Sequence, residues 1–312
     1  MRIGATVNPS AGGGRLASLD QVIEQVVGFE RDGLATAGFA HLSGLDPLIA
    51  IALTGRAVPR IEMATAVIPV YTRHPALMAQ QALTAQAATH GRLSLGIGLS
   101  HKPVVEQRWG LSFDRPLEYM QEYLAILLPL LRGQPANYDG RRLKVHVELT
   151  IPDTPAPPVL LAALGEHMLR LAGEQTDGTS LWLVGARTLA VHVTPIISAA
   201  ARATGRPSPR IVVGLPICVT SDVALARERT AQSLARYGDL PSYRAMLDRE
   251  GAASPADVMV VGSESEVERQ LAELEEAGAT DFAATLVGSS AERQRTFAFL
   301  RALAADVRGT PV

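Results

Sequence analysis

Residues 63–101, which read MATAVIPVYTRHPALMAQQALTAQAATHGRLSLGIGLSH, decide the fold. An apolar run over 64–70 is followed by a polar turn, an alanine-rich stretch from Pro75 to about Thr89, and a second apolar run over 93–98. This order predicts a strand, a helix that ends at Gly91, and a second strand. Two strands joined in this way form a βαβ unit, in which the strands lie parallel.

The same alternation continues on both sides of this stretch. The predicted strands cover residues 2–7, 35–40, 64–70, 93–98, 159–163, 180–184, 210–219 and 280–287. Eight strand-then-helix units predict an α/β fold, a (β/α)8 TIM barrel that forms one domain over 1–312. The alternative is an open doubly wound sheet. Neither Gly12-Gly13-Gly14 nor Gly96-Ile97-Gly98 continues into the G-x-G-x-x-G pattern of that fold.

Residues 99–158 interrupt the alternation. They contain a predicted helix with an apolar face, a Tyr138-Asp139-Gly140 turn and a proline-rich connector. We interpret this segment as an insertion after strand 4 that covers the barrel mouth. Its large apolar side chains would then cover a substrate; they are Trp109, Phe113, Met120 and Tyr123.

Composition restricts the classes of function. The 312 residues carry a net charge of −2 with acids and bases interspersed, which argues against nucleic acid as a partner. No apolar run approaches the roughly 20 residues that span a bilayer, and the first residues lack the pattern of a signal peptide. A cytoplasmic enzyme that acts on a small molecule, with no membrane partner, is the expectation. The single cysteine, Cys218, excludes an internal disulfide.

In a barrel of this type the active site lies at the carboxyl ends of the strands. The predicted ends carry His41, the Ser100-His101-Lys102 run, the Gly165-Glu166-His167 run, and residues 182–187. Gly165 precedes a predicted helix, whose N-terminus is a natural phosphate site. Gly98 lacks a Cβ, so that a flat ring could lie against its backbone. No metal-ligand spacing, nucleophile elbow or P-loop occurs in the sequence, which suggests that a cofactor performs the chemistry.

Several motifs, in order, resemble the bacterial luciferase-like flavin family, and most closely its branch that uses the deazaflavin coenzyme F420. They are Tyr71-Thr72-Arg73-His74-Pro75, Gln80-Gln81-Ala82, Gly91-Arg92-Leu93, Gly96-Ile97-Gly98, the stretch 168–174 with Asp177-Gly178, Gly185-Ala186-Arg187-Thr188, Leu240-Pro241-Ser242-Tyr243-Arg244 and Gly278-Ala279-Thr280-Asp281-Phe282. The resemblance covers almost the whole chain.

The resemblance implies a barrel with an insertion after strand 4, usually a homodimer. It implies a non-proline cis peptide bond, at Ala66-Val67, that supports the coenzyme ring. It also implies hydride transfer at the deazaflavin, with the phosphate tail near 165–167 and around strand 6. The cofactor-binding residues so implied are Phe39, Ala40, Ala66, Val67, Gly98, Ser100, Ala163, Leu164, Gly165, Glu166, His167, Trp182, Val184 and Gly185.

Two positions depart from the family pattern. Ala40-His41 lacks the acid that several relatives carry before this histidine, and Leu99-Ser100-His101 replaces a glutamate of other relatives. The candidate proton-transfer residues are therefore His41 first, then His101, then Glu106. A histidine near its ordinary pKa of about 6.5 can give or take a proton at neutral pH. His74 is expected to fix the turn before Pro75, and a direct chemical role is the less favoured alternative.

Three functions remain open at this point. The first is an F420-dependent oxidoreductase acting on a carbonyl, imine or enone. The second is an FMN-dependent monooxygenase on the same fold. The third is a barrel that binds a flavin without turnover.

Overall fold

The computed structural model describes residues 1–8, 10–12, 15–40, 43–152 and 154–309. Eight of the ten strands of its main sheet form the barrel: β1 (Arg2–Thr6), β2 (Thr36–Phe39), β3 (Glu62–Thr65), β4 (Leu93–Gly98), β5 (Val159–Leu161), β6 (Gly178–Trp182), β7 (Arg210–Val219) and β8 (Asp281–Leu286). Each strand pairs in parallel with the next, and β1 pairs with β8. Because β4 also pairs with β5, the sheet closes on itself. The predicted (β/α)8 barrel is confirmed, and the open doubly wound sheet is excluded.

Ten longer helices connect or follow the strands within the described ranges. They are α1 (Leu19–Arg31), α2 (Pro47–Thr54), α3 (Pro75–Ala88), α4 (Pro116–Leu131), α5 (Glu166–Gln175), α6 (Thr194–Ala203), α7 (Val223–Gly238), α8 (Pro241–Glu250), α9 (Glu264–Glu276) and α10 (Ser290–Gly309). Shorter helical turns occur at Val104–Arg108, Ala186–Thr188, Leu189–Val193 and Pro255–Val258, and short strands at Ser10–Gly12, Arg15–Leu16, Ile68–Pro69, Ala136–Asp139, Lys144–Val147 and Val260–Gly262.

Helix starts follow local sequence chemistry. Ser18 and Gln21 form a capping box at α1, and Ser263 with Glu266 forms the predicted capping box at α9. His74 is the N-cap of α3, where its Nδ1 accepts a hydrogen bond from Ala76 N at 3.3 Å. The expected structural role of His74 is thus confirmed.

Strand 3 differs from its prediction. The expected continuous strand over 64–70 is two pieces, β3 and the short strand Ile68–Pro69, and both pair with β4. The Ala66-Val67 peptide bond between the two pieces is cis, as the resemblance implies. The apolar pattern continues through this break because both pieces are buried, so periodicity alone could not locate it.

The segment 99–158 is only partly an excursion from the barrel. Helix α4 packs against α3 and α5, which is the place of the fourth barrel helix. The strands Ala136–Asp139 and Lys144–Val147 form an antiparallel hairpin that packs on α4. The buried carboxylate of Glu122 on α4 holds this hairpin, since it accepts the backbone N–H groups of residues 141, 142 and 143 at 2.8 to 3.0 Å.

The amino ends of four strands meet in an ion-pair network at the bottom of the barrel. The Arg210 guanidinium lies 2.6 Å from both the Glu62 and the Asp281 carboxylates, and Arg2 contacts the same two acids. Burial opposes the charged guanidinium, but the hydrogen bonds and charges of the two acids outweigh it and raise the pKa of Arg210. This end of a barrel normally serves stability, so the functional site is expected at the other end.

No helix in the described part of the chain combines the length and the apolar composition that crossing a bilayer requires.

Candidate active site

The carboxyl ends of β3, β4 and β5 meet around the side chain of Val67. A Cβ placed on Gly98 would lie 3.0 Å from Val67 Cγ2 and 3.0 Å from Ala162 Cβ. The space beside Gly98 is therefore filled by these side chains. The expectation that Gly98 leaves room for a flat ring against its own backbone is corrected: Gly98 leaves room for Val67.

Thr65 joins the interrupted strand to β4. Its hydroxyl donates to Gly96 O at 2.7 Å and accepts from Gly96 N at 2.8 Å, and all three groups are buried. The Thr65 side chain thus replaces the backbone hydrogen bonds between β3 and β4 at the point where β3 ends, immediately before Ala66. Nothing in the sequence pattern singles out Thr65 for this role.

The predicted residues of strands 2 and 4 that the structure describes lie at the same end of the barrel. Phe39 is the last residue of β2 and is buried, and Ala40 follows it. His41 lies outside the described residues. Ser100, two residues after β4, is half-buried and has a φ of 63°. A non-glycine residue in this region is uncommon, and such residues cluster at functional sites. Leu183, just after β6, has a φ of 57° and was not predicted as a site residue.

The first turn of α5 is open. Gly165 is its N-cap, no side chain caps the helix, and Gly165, Glu166 and His167 are all exposed. Free N–H groups and the positive end of the helix dipole together favour an anion at this position. The Glu166 side chain is committed to Arg170, whose hydrogen bond and charge lower the pKa of the carboxyl. Among its neighbours, Ala163 is buried and Leu164 O lies 2.8 Å from His192 Nε2.

The helical turn after β6 is closed. Glu250 of α8 accepts hydrogen bonds from the backbone N–H groups of Arg187 at 3.2 Å and Thr188 at 2.7 Å. A Cβ on Gly185 would lie 2.4 Å from this carboxylate, and Val184 is fully buried. The protein's own carboxylate therefore holds the position at which the resemblance places part of the phosphate tail. The contact joins residues 63 positions apart, so no local signal could have revealed it.

An aromatic cluster joins the ends of strands 4 and 6. The His101 ring lies 5.6 Å from the Tyr243 ring and 6.0 Å from the Tyr237 ring, and Trp182 lies 6.4 Å from Tyr237. The Trp182 Nε1 atom is buried and makes no hydrogen bond to the residues that the structure describes. Burial and the nearby charge of Arg236 lower the pKa of His101. The uncharged, proton-accepting form of His101 is thus favoured at neutral pH.

Other predicted positions do not join this cluster. Glu106 is exposed on the turn Val104–Arg108. The prediction that Met120 and Tyr123 cover a substrate is wrong, because both side chains are fully buried and Tyr123 Oη donates to Arg73 O at 3.0 Å. Phe113 packs on Tyr71 at 5.6 Å. Their helical spacing could not distinguish a core face from a substrate-facing one.

The described residues contain no group of three or more His, Cys, Asp or Glu side chains that could hold a metal ion.

The chain is similar to known proteins both in sequence and in fold. A family model described as luciferase-like monooxygenase matches residues 1–281. The chain is 27% identical over 282 residues to a putative coenzyme F420-dependent oxidoreductase of Mycobacterium tuberculosis, a match that covers 85% of this chain and 79% of that protein.

The fold is shared with many solved structures, among them a coenzyme F420-dependent enzyme and an FMN-containing monooxygenase. The coenzyme F420-dependent tetrahydromethanopterin reductase of Methanopyrus kandleri superimposes with a TM-score of 0.76 at 19% identity, over 96% of this chain and 97% of that one. The oxygenating constituent of 3,6-diketocamphane monooxygenase of Pseudomonas putida, in complex with FMN, superimposes with a TM-score of 0.77 at 19% identity, over 98% and 97%.

Proposed function

Since the chain belongs to the luciferase-like monooxygenase family, we propose that it is an oxidoreductase that transfers a hydride between coenzyme F420 and a small organic substrate of the carbonyl, imine or enone type. The observation that carries the proposal is the open first turn of α5, which lies beside the joined ends of β3, β4 and β5. A flavin-like coenzyme needs both an anion site and a surface for its ring. The putative F420-dependent oxidoreductase of Mycobacterium tuberculosis, which this chain resembles over most of its length, supports the choice of deazaflavin.

The phosphate of the coenzyme would bind to the backbone N–H groups of residues 165–167. These groups are exposed and uncapped, whereas the N–H groups of Arg187 and Thr188 after β6 are already bound to Glu250. Of these two neighbouring helix starts, the one at α5 would therefore bind the phosphate. Gly165, Glu166 and His167 would contribute their main chain more than their side chains.

The ring would lie over the Ala66-Val67 step, whose side chains are half-buried at the end of β3. Phe39 and Ala40 would border it on the β2 side, Ser100 on the β4 side, and Ala163 and Leu164 on the β5 side. Trp182 would offer its unpartnered indole N–H from the end of β6. When bound, F420 supplies a carbon centre that gives or accepts a hydride. The protein holds the substrate against that centre and moves a proton.

His101 is the residue that we assign to proton transfer among those that the structure describes. It is half-buried at the end of β4, whereas Glu106 is exposed. Its lowered pKa makes it a proton acceptor at neutral pH, which suits the direction in which an alcohol or amine gives a hydride to F420 and a proton to His101 and becomes a carbonyl or imine. His41, which directly follows Ala40, remains the second candidate. Residues of 99–158 would cover the substrate, with Trp109 and Phe113 as the covering side chains.

Titration of the purified protein with F420 and with FMN, followed by fluorescence and absorbance, tests the coenzyme. F420 is expected to bind. Its reduced form should then be oxidised by a suitable carbonyl, imine or enone, or its oxidised form reduced by the corresponding alcohol, amine or saturated ketone. Binding of FMN alone would replace this proposal by the monooxygenase alternative. Binding of F420 without turnover on any of these substrates would favour a binding protein.

We also propose that the chain is a homodimer. Helices α2 and α3 contact each other and contain no charged residue, in a chain with 19% charged residues. Their outer face exposes Ile49 (60%), Leu53 (47%) and Leu77 (45%). An uncharged apolar face is self-complementary across a two-fold axis, because it meets no like charge in the partner copy.

A further inference from the structure

The ring of His101 is held by ring contacts. Within the described ranges, no hydrogen bond to either ring nitrogen occurs. Its nearest ring neighbours are Tyr243, at 5.6 Å with an interplanar angle of 63°, and Tyr237, at 6.0 Å with an angle of 88°. Edge-to-face contacts of this kind restrict a ring, but they do so only while the partner ring itself is fixed.

Tyr243 is fixed by its own surroundings. Its side chain is buried, with 9% exposure, and its ring packs on Tyr237 at 5.1 Å. Its hydroxyl makes no hydrogen bond to the residues that the structure describes. Contact of the ring, and not a bond through the hydroxyl, therefore links Tyr243 to His101.

Helix α8, which carries Tyr243, is anchored at its other end. The Glu250 carboxylate accepts the N–H groups of Arg187 and Thr188, and the Thr188 hydroxyl donates to Met246 O at 3.2 Å. The favourable interaction of a carboxylate with a helix N-terminus strengthens this anchor. Helix α8 thus connects the turn after β6, through Glu250, to His101 in the segment after β4, through Tyr243.

We propose that Tyr243 is a positioning residue for His101, and that the Glu250 anchor of α8 keeps its ring in place against the imidazole. The assignment of His101 to proton transfer rests on the proposed function. The packing relation itself does not depend on it. Tyr243 is therefore expected to affect the protonation of His101 even in protein without coenzyme.

The Tyr243 ring also affects the electrostatic surroundings of His101. The groups that face His101 are Arg236 and Tyr237 from α7 and Tyr243 from α8; Lys102 and Glu106 follow on its own segment and are exposed. Burial is the first cause of the lowered pKa, and Arg236 is the second. Removing the Tyr243 ring admits water, so the pKa of His101 should rise towards its ordinary value of about 6.5. Activity that needs the uncharged ring is lost as pH falls through this pKa, and the loss should then begin at a higher pH.

The test compares Tyr243→Leu with Tyr243→Phe. Histidine-labelled, coenzyme-free protein is titrated by NMR, and the His101 signal is identified by its absence in His101→Gln. Tyr243→Leu is expected to raise the pKa of His101, whereas Tyr243→Phe should leave it unchanged because the hydroxyl has no partner. In turnover, Tyr243→Leu should lower kcat by about tenfold to a hundredfold, the cost of a misplaced catalytic group, with coenzyme affinity unchanged.

An unchanged pKa in Tyr243→Leu, or an equal shift in Tyr243→Phe, would overturn the proposal. Should Tyr243→Leu fail to fold, Glu250→Gln serves as the second variant, and it is expected to raise the same pKa by releasing α8. Glu266→Gln is its matched control, because that carboxylate caps α9 at Ser263 and makes no contact with α8. A shifted pKa in a protein without F420 turnover would refute the proposed function and leave the positioning role intact.

Discussion

Gly96 and Gly98 lie two positions apart on β4 and have different neighbours. A Cβ on Gly96 would lie 2.0 Å from the backbone oxygen of Thr65, which cannot move without opening the sheet. A Cβ on Gly98 would meet only side-chain atoms, Val67 Cγ2 and Ala162 Cβ, both at 3.0 Å. In the Gly-x-Gly motif, a neighbouring backbone oxygen thus requires the first glycine, and neighbouring side chains require the second.

Substitution of each glycine by alanine should separate the two requirements. Gly96→Ala is expected to lower the free energy of unfolding by about 3 kcal/mol or more, since overpacking against backbone has no easy relief. Gly98→Ala is expected to cost about 1 kcal/mol and to weaken coenzyme binding by displacing Val67. Urea unfolding and coenzyme titration measure the two effects. A Gly98 variant that is less stable than the Gly96 variant would contradict this account.

At the scale of elements, the sequence predicted most directly those boundaries that local chemistry marks. The start of α5 after Gly165 and the extent of β7 over 210–219 agree with the structure, because turn residues border both. The break in β3 and the anchoring of α8 by Glu250 could not be predicted. Both depend on contacts between residues far apart in the chain, which periodicity and turn chemistry do not encode. The same reason explains why the sequence indicates His101 as a candidate, whereas the contact of Tyr243 with His101 has no local signal.

The attachment of the hairpin to α4 depends on one carboxylate. Glu122 is 5% exposed and accepts three backbone N–H groups. Glu122→Gln replaces one oxygen by an NH2 group that faces these donors, and it should lower the free energy of unfolding by about 2 to 3 kcal/mol. Thermal or urea unfolding measures the loss. Glu118→Gln is the control on the same helix, since Glu118 pairs only with arginines that are half or more exposed, and it should change stability by less than about 0.5 kcal/mol. Equal losses of stability in the two variants would show that the hydrogen bonds between Glu122 and the hairpin do not stabilise the protein.

At the scale of the whole molecule, the Arg210 network joins strands from opposite parts of the chain. Glu62 of β3 and Asp281 of β8 both contact Arg210 of β7, and the Asp281 side chain is only 6% exposed. Arg210→Met leaves two carboxylates without their shared cation and should destabilise the barrel by about 3 to 5 kcal/mol. Arg2→Met should cost less than about 1 kcal/mol, because the Arg2 side chain is 43% exposed. If urea unfolding shows the Arg210→Met protein to be as stable as the unmodified protein, this ion-pair network does not stabilise the closed barrel.

The exposed apolar face of α2 and α3 is the surface through which we expect two copies of the chain to associate. Of the large apolar side chains that the described structure exposes, Leu45, Ile49, Leu53 and Leu77 lie on or beside these two adjacent uncharged helices. Ile49→Arg places a charge opposite its own copy across a two-fold axis, so the dimer should dissociate to monomers in sedimentation velocity runs. Val191→Arg is the matched control, since Val191 is 65% exposed but lies in the turn after β6, away from this face. That variant should sediment as the unmodified protein does. A monomeric unmodified protein would refute the homodimer, and a dimer that survives Ile49→Arg would move the interface to another face.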